Sequence, residues 1–182
     1  MTTIFKMLPI DHGELCRPLS EEDESKILGV VSGAADSTSW EAPNVRLVKR
    51  EDGTTLDFSH CPWSGTSQQL YVRPEVIERM GDWLEQFGDF LPLRASEPLW
   101  FFHVTRELDA LDRENSKFHV LRSSGLINGV TRFQFKEEVL LGTPLFRLSG
   151  LRASRIFVSA EFVERWRSAD LVGLEFKEVW SS

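Results

Sequence analysis

The chain has few cysteines and no long apolar run, and these two absences exclude several protein classes. Its 182 residues include 2 cysteines, Cys16 and Cys61, with no CxxC pair. Two thiols cannot form the disulfide framework of a small secreted domain. No stretch approaches the roughly 18 consecutive apolar residues of a membrane span, and acidic residues interrupt the N-terminal segment before a signal-peptide core forms. We therefore expect a cytoplasmic protein without a membrane partner.

Positive charge is also scarce. The chain has 21 Lys and Arg against 28 Asp and Glu, which gives a net charge of −7. Nucleic-acid binding needs a basic surface that neutralises phosphates, so we predict no nucleic-acid partner. An acidic field favours solubility and would suit a basic protein partner, although most acidic proteins have no partner of that kind.

Motifs for catalysis, cofactors and metals are missing as well. The sequence contains no GxGxxG, GxxxxGK or GxSxG motif. Zinc requires three or four ligands, usually with a short chelating spacing, and the adjacent pair His60-Cys61 is a poor geometry for one tetrahedral ion. Asp109 and Asp112 are spaced as a turn that accepts backbone amides rather than as a catalytic dyad. We predict no cofactor, no metal and no catalytic residue.

The residue types also allow one catalytic alternative. Cys61, a histidine and Asp109 could together form a thiol nucleophile set, which would make the protein a cysteine hydrolase. Only the residue types support this interpretation, because no spacing in the sequence is specific to it. A general protein-binding module is the other alternative.

The apolar residues that are present indicate a packed domain with an aromatic core, since 13 Phe and 6 Trp accompany a single Tyr. After Pro74, apolar residues recur at spacings of one, three and four, which predicts an amphipathic helix over residues 74–87. Ser159 is a suitable N-cap for a second helix over residues 160–169. The nearly continuous apolar run 99–105 is typical of a central strand that is covered on both faces.

Strand patterns dominate the second half of the chain. We predict an α+β fold: a mainly antiparallel sheet from the C-terminal half, with the two helices packed on it. Residues Ile4–Leu8 would form an edge strand, and Asp52-Gly53 between alternating apolar residues predicts a hairpin turn. We expect a single domain over 1–182, and a composition shift near Pro92–Pro98 leaves subdomains 1–92 and 93–182 as the alternative.

Five blocks of sequence, in this order, resemble the bacterial immunity-protein family first described as a domain of unknown function and tied to a myxobacterial protein. The blocks are Trp100–Val104, Leu108–Asp112 followed by Ser116, Leu145–Leu148, Ile156–Ser159 and Gly173–Phe176. The resemblance extends over residues 70–180. Proteins of this family belong to polymorphic toxin systems, and many are encoded beside contact-dependent or type VI secreted toxins.

The resemblance implies a non-catalytic cytoplasmic inhibitor that binds one cognate toxin stoichiometrically, and no particular oligomeric state. The matched blocks have the pattern of core strands and turns, so toxin contacts would come from loops of variable chemistry. A tryptophan with neighbouring carboxylates can anchor an interface and steer a basic partner. The predicted contact residues are Glu51, Asp52, His60, Trp63, Glu21, Glu22 and Asp23. In the alternative interpretation Trp63 is a core residue, and the acidic run is a solvated loop or a first helical turn.

Overall fold

A computed structural model describes residues 1–151 and 154–182 of the chain. Its helices are α1 (Glu21–Val31), α2 (Pro74–Leu84), α3 (Glu137–Leu140) and α4 (Ala160–Ser168), with a 3₁₀ turn at Ser37–Ser39. Its strands are β1 (Thr3–Pro9), β2 (Leu15–Pro18), β3 (Val45–Val48), β4 (Arg50–Glu51), β5 (Thr54–Thr55), β6 (Leu70–Val72), β7 (Gly88–Leu93), β8 (Leu99–Val104), β9 (Glu107–Leu108), β10 (Lys117–Val120), β11 (Ile127–Arg132), β12 (Leu145–Leu148), β13 (Ile156–Ser159) and β14 (Leu174–Ser181).

The largest sheet has five strands in the order β14-β1-β13-β12-β9. Its pairs are antiparallel except β12 with β9. Strand β1 lies inside this sheet: Ile4 pairs with Trp180 on one side and with Ser159 on the other. The prediction of an edge strand at the N-terminus was therefore wrong, because Ile4 and Met7 are buried and both backbone edges of β1 are paired.

A second sheet has three antiparallel strands in the order β6-β8-β7. The apolar run at 99–104 is its middle strand, as predicted. Three two-stranded ladders complete the strand pairing of the described residues: β2 with β3, β4 with β5, and β10 with β11. The mixed α+β class with antiparallel sheets is confirmed.

The two predicted helices are present. Helix α2 begins at Pro74 and ends at Leu84, three residues before the predicted end, because the chain turns there and enters β7 at Gly88. Helix α4 begins after Ser159, but the Ser159 hydroxyl makes no capping hydrogen bond. Helix α1 contains the acidic run in its first turn, so this segment is helical and not a loop.

Apolar side chains form three clusters on the faces of these sheets. The first joins α2 and α4 to both larger sheets through Val76, Leu84, Phe162, Trp166, Phe102 and Val158. The second packs α1 against the three-stranded sheet, and the third covers the other face of the five-stranded sheet. The first cluster takes residues from both sides of the alternative boundary near residue 92, so we keep the single domain as our proposal. Within the part of the chain that the structure describes, no helix is long and apolar enough to cross a membrane.

Candidate protein-binding site

The environment of Cys61 does not support a nucleophilic thiol. Its side chain is 1% exposed, and burial raises the pKa of the Cys61 thiol well above its ordinary value. The other cysteine, Cys16, is also buried, and burial raises the pKa of its thiol to about 12. A thiol acts as a nucleophile in its ionised form, which burial disfavours at both positions.

Asp112 stabilises a turn, whereas Asp109 forms an ion pair outside it. The Asp112 carboxylate accepts from the backbone amides of Glu114 and Asn115 at 3.0 and 3.2 Å and from the Asn115 side chain at 2.6 Å. The hydrogen bond from the Asn115 side chain is the main reason that the pKa of Asp112 is lowered. Asp109 forms an ion pair with Lys136 at 3.0 Å. Over the described ranges, 1–151 and 154–182, no group of three His, Cys, Asp or Glu is arranged to hold a metal ion.

The predicted acidic run divides into solvent-facing and structural residues. Glu21 and Glu22 are exposed, and Glu22 forms an ion pair with Lys26 at 3.2 Å. Asp23 is buried, accepting from the Ser20 hydroxyl at 2.7 Å and from the backbone amide of Asn44 at 2.8 Å. The pKa of Asp23 is lowered, chiefly by the Ser20 hydrogen bond. Asp23 therefore joins α1 to the segment that precedes β3.

Glu51 and Asp52 lie at the tip of the β4–β5 hairpin, and both are exposed. Asp52 and Gly53 have φ values of 48° and 80°, and two consecutive positive φ angles are the signature of the tight turn that their Asp-Gly sequence predicts. Glu51 is 3.3 Å from Arg17 in an exposed ion pair. The hairpin thus presents two carboxylates to solvent beside one arginine.

His60 and Trp63 have packing roles. Trp63 is half-buried against the first apolar cluster, and its backbone pairs with Glu14 and Cys16 at 2.9 Å each. His60 is 8% exposed, and its Nδ1 accepts from the backbone N–H of Val172 at 2.9 Å. Burial is the main reason that the pKa of His60 is lowered. Both side chains shape the loop that contains them, and their contact with a partner stays a prediction.

A buried charge network, which the sequence analysis missed, lies beneath this loop. The Arg73 guanidinium donates to Glu14 Oε2 at 2.8 Å, to the Ser59 carbonyl at 2.9 Å and to Glu97 at 2.5 Å. Glu97 also forms an ion pair with Lys49. Buried charges of this kind are stable only with such partners, so the network fixes the position of the loop around Ser59.

Above the network, Phe58 is held outward. Its ring is 48% exposed, although Phe is usually a core residue. The Arg73 guanidinium carbon lies 4.8 Å from the ring centroid, and the His60 ring packs edge-on with 4.9 Å between centroids. The Phe58 ring is therefore fixed from below and from the side while its outer face meets solvent.

The C-terminal loop completes this surface. Val172 is 48% exposed, and its carbonyl accepts from the His60 backbone N–H at 2.9 Å, so His60 bonds both backbone groups of Val172. The next residue, Gly173, lies so close to Ser59 that an added Cβ would come within 2.8 Å of the Ser59 Cβ. We call the exposed faces of Phe58 and Val172, with His60 between them, the Phe58–Val172 surface.

An open cleft of about 380 Å³ adjoins this surface and shares Val172 with it. Its lining residues are Ile10, Trp166, Arg167, Leu171, Val172, Gly173, Leu174, Glu175 and Phe176. No sequence pattern indicates that Phe58 meets solvent, because its orientation depends on packing with Arg73, which is 15 positions away in the chain.

Comparison with known proteins gives a match to the C-terminal half of the chain. No curated protein matches the chain. The family match begins at Leu93, within β7, and extends through β14, so it includes Val172 and excludes Phe58. Residues 93–181 match the sequence model of the immunity protein family Imm11, and this match confirms the resemblance to an immunity protein family.

Proposed function

We propose that this protein neutralises a cognate bacterial toxin by direct stoichiometric binding, without catalysis and in the cytoplasm. The observation that carries the proposal is the match of residues 93–181 to an immunity protein family, since the role of such a family is to neutralise a toxin. The burial of Cys61 and the structural use of Asp112 support a binding mechanism, because neither group is prepared for covalent chemistry.

The surface chemistry favours a basic toxin. The chain carries a net charge of −7, and Glu21, Glu22, Glu51 and Asp52 present carboxylates to solvent. Exposed charges of one sign speed the encounter with a partner of the opposite sign more than they strengthen the final complex. We therefore assign these four residues to attraction and orientation of the toxin.

The remaining predicted contact residues would act differently. Asp23 and His60 are buried and hold the local backbone, and half-buried Trp63 offers only part of its ring to a partner. In this proposal they fix the shape of the binding face, and nucleic acid and membranes have no part in it.

Co-expression tests the proposal. The toxin encoded beside this gene is expressed in a host that it kills, with and without this protein, and survival is scored. Purified toxin is then titrated with purified protein by calorimetry. We expect rescue of growth, a 1:1 complex, and toxin activity that disappears only at equimolar protein.

Two other outcomes would contradict it. Loss of toxin activity at a protein-to-toxin ratio far below one would indicate a catalytic mechanism, such as the hydrolase alternative. No complex and no rescue would leave a general protein-binding module as the better interpretation.

A further inference from the structure

We propose that the Phe58–Val172 surface is the anchor of the toxin contact, and that it receives an apolar side chain that lysines or arginines surround on the toxin. This inference rests on the proposed function and adds to it the location and the chemistry of the contact. It also places the anchor outside the acidic residues that the sequence pattern favoured.

Phe58 and Val172 are exposed to solvent, and their neighbours hold them in place. Phe58 and Val172 are each 48% exposed. Arg73 and His60 pack on the Phe58 ring, and two hydrogen bonds, one to the His60 Nδ1 and one from the His60 backbone N–H, hold the Val172 backbone. A side chain that is already ordered loses little conformational entropy on binding. Aromatic residues, Phe among them, are enriched in protein interfaces, and a few residues near the centre of the contact supply most of the binding energy.

The surface around Phe58 suits an apolar side chain better than a cation. The inner face of the Phe58 ring already carries the Arg73 guanidinium at 4.8 Å, so a second cation stacked on the outer face would meet a ring that is already polarised by a positive charge. An aliphatic or aromatic side chain fits there better. The adjoining cleft, about 380 Å³ in volume, has room for such a side chain beside Ile10 and Val172, with Arg167 and Glu175 also in its lining.

Charged side chains lie near the Phe58–Val172 surface, and we call them its rim. Asp57 and Asp170 are exposed and lie within two residues of Phe58 and Val172 in the chain, and Glu175 lines the cleft. Arg167 also lines the cleft, and Arg79 donates to the Asp170 carbonyl at 3.2 Å, so these three carboxylates stand beside two exposed arginines. The complementary toxin surface has cations around its apolar centre.

The surface combines the two halves of the chain. Val172 lies inside the segment that matches the immunity protein family, whereas Phe58 lies outside it. Hydrogen bonds between His60 and Val172 hold the halves together at this point. The toxin contact therefore depends on residues that the family pattern does not describe.

The test uses the full chain and the toxin captured in the co-expression experiment. Phe58→Ala and Val172→Asp are compared with Val120→Asp, because Val120 on the β10–β11 hairpin is also a valine that is 48% exposed. We expect the dissociation constant to rise about 30-fold for Phe58→Ala and by at least about 10-fold for Val172→Asp, as hot-spot residues require. Val120→Asp should change it less than about 3-fold, as for an exposed residue outside the contact.

A rim variant tests the charge argument. Asp170→Asn removes one charge and keeps the shape, and asparagine tolerates the φ of 51° at this position. We expect about a 3-fold loss of affinity that disappears at high salt, since rim charges contribute modestly and are screened.

The outcomes separate this inference from the proposed function. Toxin binding that is unaffected by both Phe58→Ala and Val172→Asp would overturn the anchor and leave the immunity role intact. Failure of the wild-type protein to bind the toxin would overturn both. Circular dichroism melts of each variant report folding, and Val172→Asp decides the matter if Phe58→Ala unfolds, because Val172 is bonded to His60 through its backbone, which the substitution keeps.

Discussion

Arg73 Nη2 donates to Glu14 Oε2 across 2.8 Å, and the two side chains are 6% and 5% exposed. The pair joins the N-cap of α2 to the residue before β2, 59 positions earlier in the chain. The same Glu14 oxygen accepts from the Ser59 backbone amide at 3.2 Å. One buried carboxylate thus fixes both a helix start and the loop that carries Phe58.

Removal of the Glu14 carboxylate should lower the free energy of unfolding substantially. Glu14→Ala leaves a buried guanidinium with only part of its partners, and breaking a buried ion pair from one side destabilises a protein by about 3 kcal/mol. Chemical denaturation should show this loss of unfolding free energy. Glu51→Ala is the control, because it breaks an ion pair whose side chains are 53% and 47% exposed and should change stability by less than about 1 kcal/mol. Equal effects of the two variants would show that the Arg73 network contributes no more than a surface pair.

Gly173 should tolerate no side chain. Its φ is 113°, and an added Cβ would lie 2.8 Å from the Ser59 Cβ and 3.0 Å from the Ser59 Cα. We expect Gly173→Ala to lower the melting temperature clearly and to reduce toxin binding, because the loop that carries Val172 must move away from Ser59. Gly125→Ala is the matched control: its φ is also positive at 69°, but nothing lies within 4 Å of the added Cβ. If both variants melt alike, backbone strain alone would account for the loss.

Local patterns were sufficient for much of the fold. The amphipathic spacing after Pro74, the Asp52-Gly53 turn and the apolar run at 99–104 predicted α2, the β4–β5 hairpin and the centre of the second sheet. In each case the signal lies within a short stretch of chain. The position of β1 could not be predicted in this way, because it depends on pairing with residues 151 to 178 positions away in the chain.

The candidate site was harder to predict from the sequence for the same reason. Whether a residue such as Phe58, Asp23 or His60 is exposed depends on partners distant in sequence: Arg73 for Phe58, Asn44 for Asp23 and Val172 for His60. A sequence pattern indicates that an acidic run or an aromatic residue exists, but its orientation is decided by these tertiary contacts. Local turn chemistry predicted the hairpin tip, where Glu51 and Asp52 are exposed.

Stability should fall in mild acid because of His60. Burial lowers the pKa of His60 below its ordinary value of 6.5; the nearby Glu75 opposes this, and Arg79 and Arg73 reinforce it. The unfolded chain therefore binds a proton at a pH where the folded chain does not. The contribution to stability is complete above the unfolded pKa and is lost as the pH falls through the folded pKa, with a slope below about 1.4 kcal/mol per pH unit.

A substitution isolates that contribution. His60→Asn retains an acceptor for the Val172 amide but cannot titrate, so its unfolding free energy should depend less on pH from about 7 down to about 5.5, where histidine charge changes. His103 has a pKa that is also lowered by burial, so part of the pH dependence should remain. His119→Asn, at an exposed position, is the matched control for the substitution itself. An unaltered profile in His60→Asn would contradict the assignment.

The thiols should be unreactive in the folded protein. Cys61 is 1% exposed and Cys16 is fully buried, and burial raises the pKa of both thiols. We expect neither cysteine to react with a thiol reagent until the chain is unfolded in denaturant, when both should react. Cys61→Ala should still protect cells from the toxin, with a modest loss of stability from the missing side chain. Fast labelling of native Cys61, or loss of protection in Cys61→Ala with an unchanged melting temperature, would revive the hydrolase alternative.

The hairpin carboxylates should control how fast the toxin binds. Glu51→Lys with Asp52→Lys replaces two exposed negative charges with positive ones at the tip of the β4–β5 hairpin. Because rim charges act mainly on diffusional encounter, we expect the association rate constant to fall about 10-fold at low salt while the dissociation rate constant changes little. Surface plasmon resonance at several salt concentrations measures both constants, and the difference from wild type should shrink as salt rises.

Glu164→Lys with Asp82→Lys, at exposed positions on α4 and α2, applies the same change in net charge elsewhere. An equal fall in the association rate for that pair would assign the effect to the net charge of the protein instead of to the hairpin.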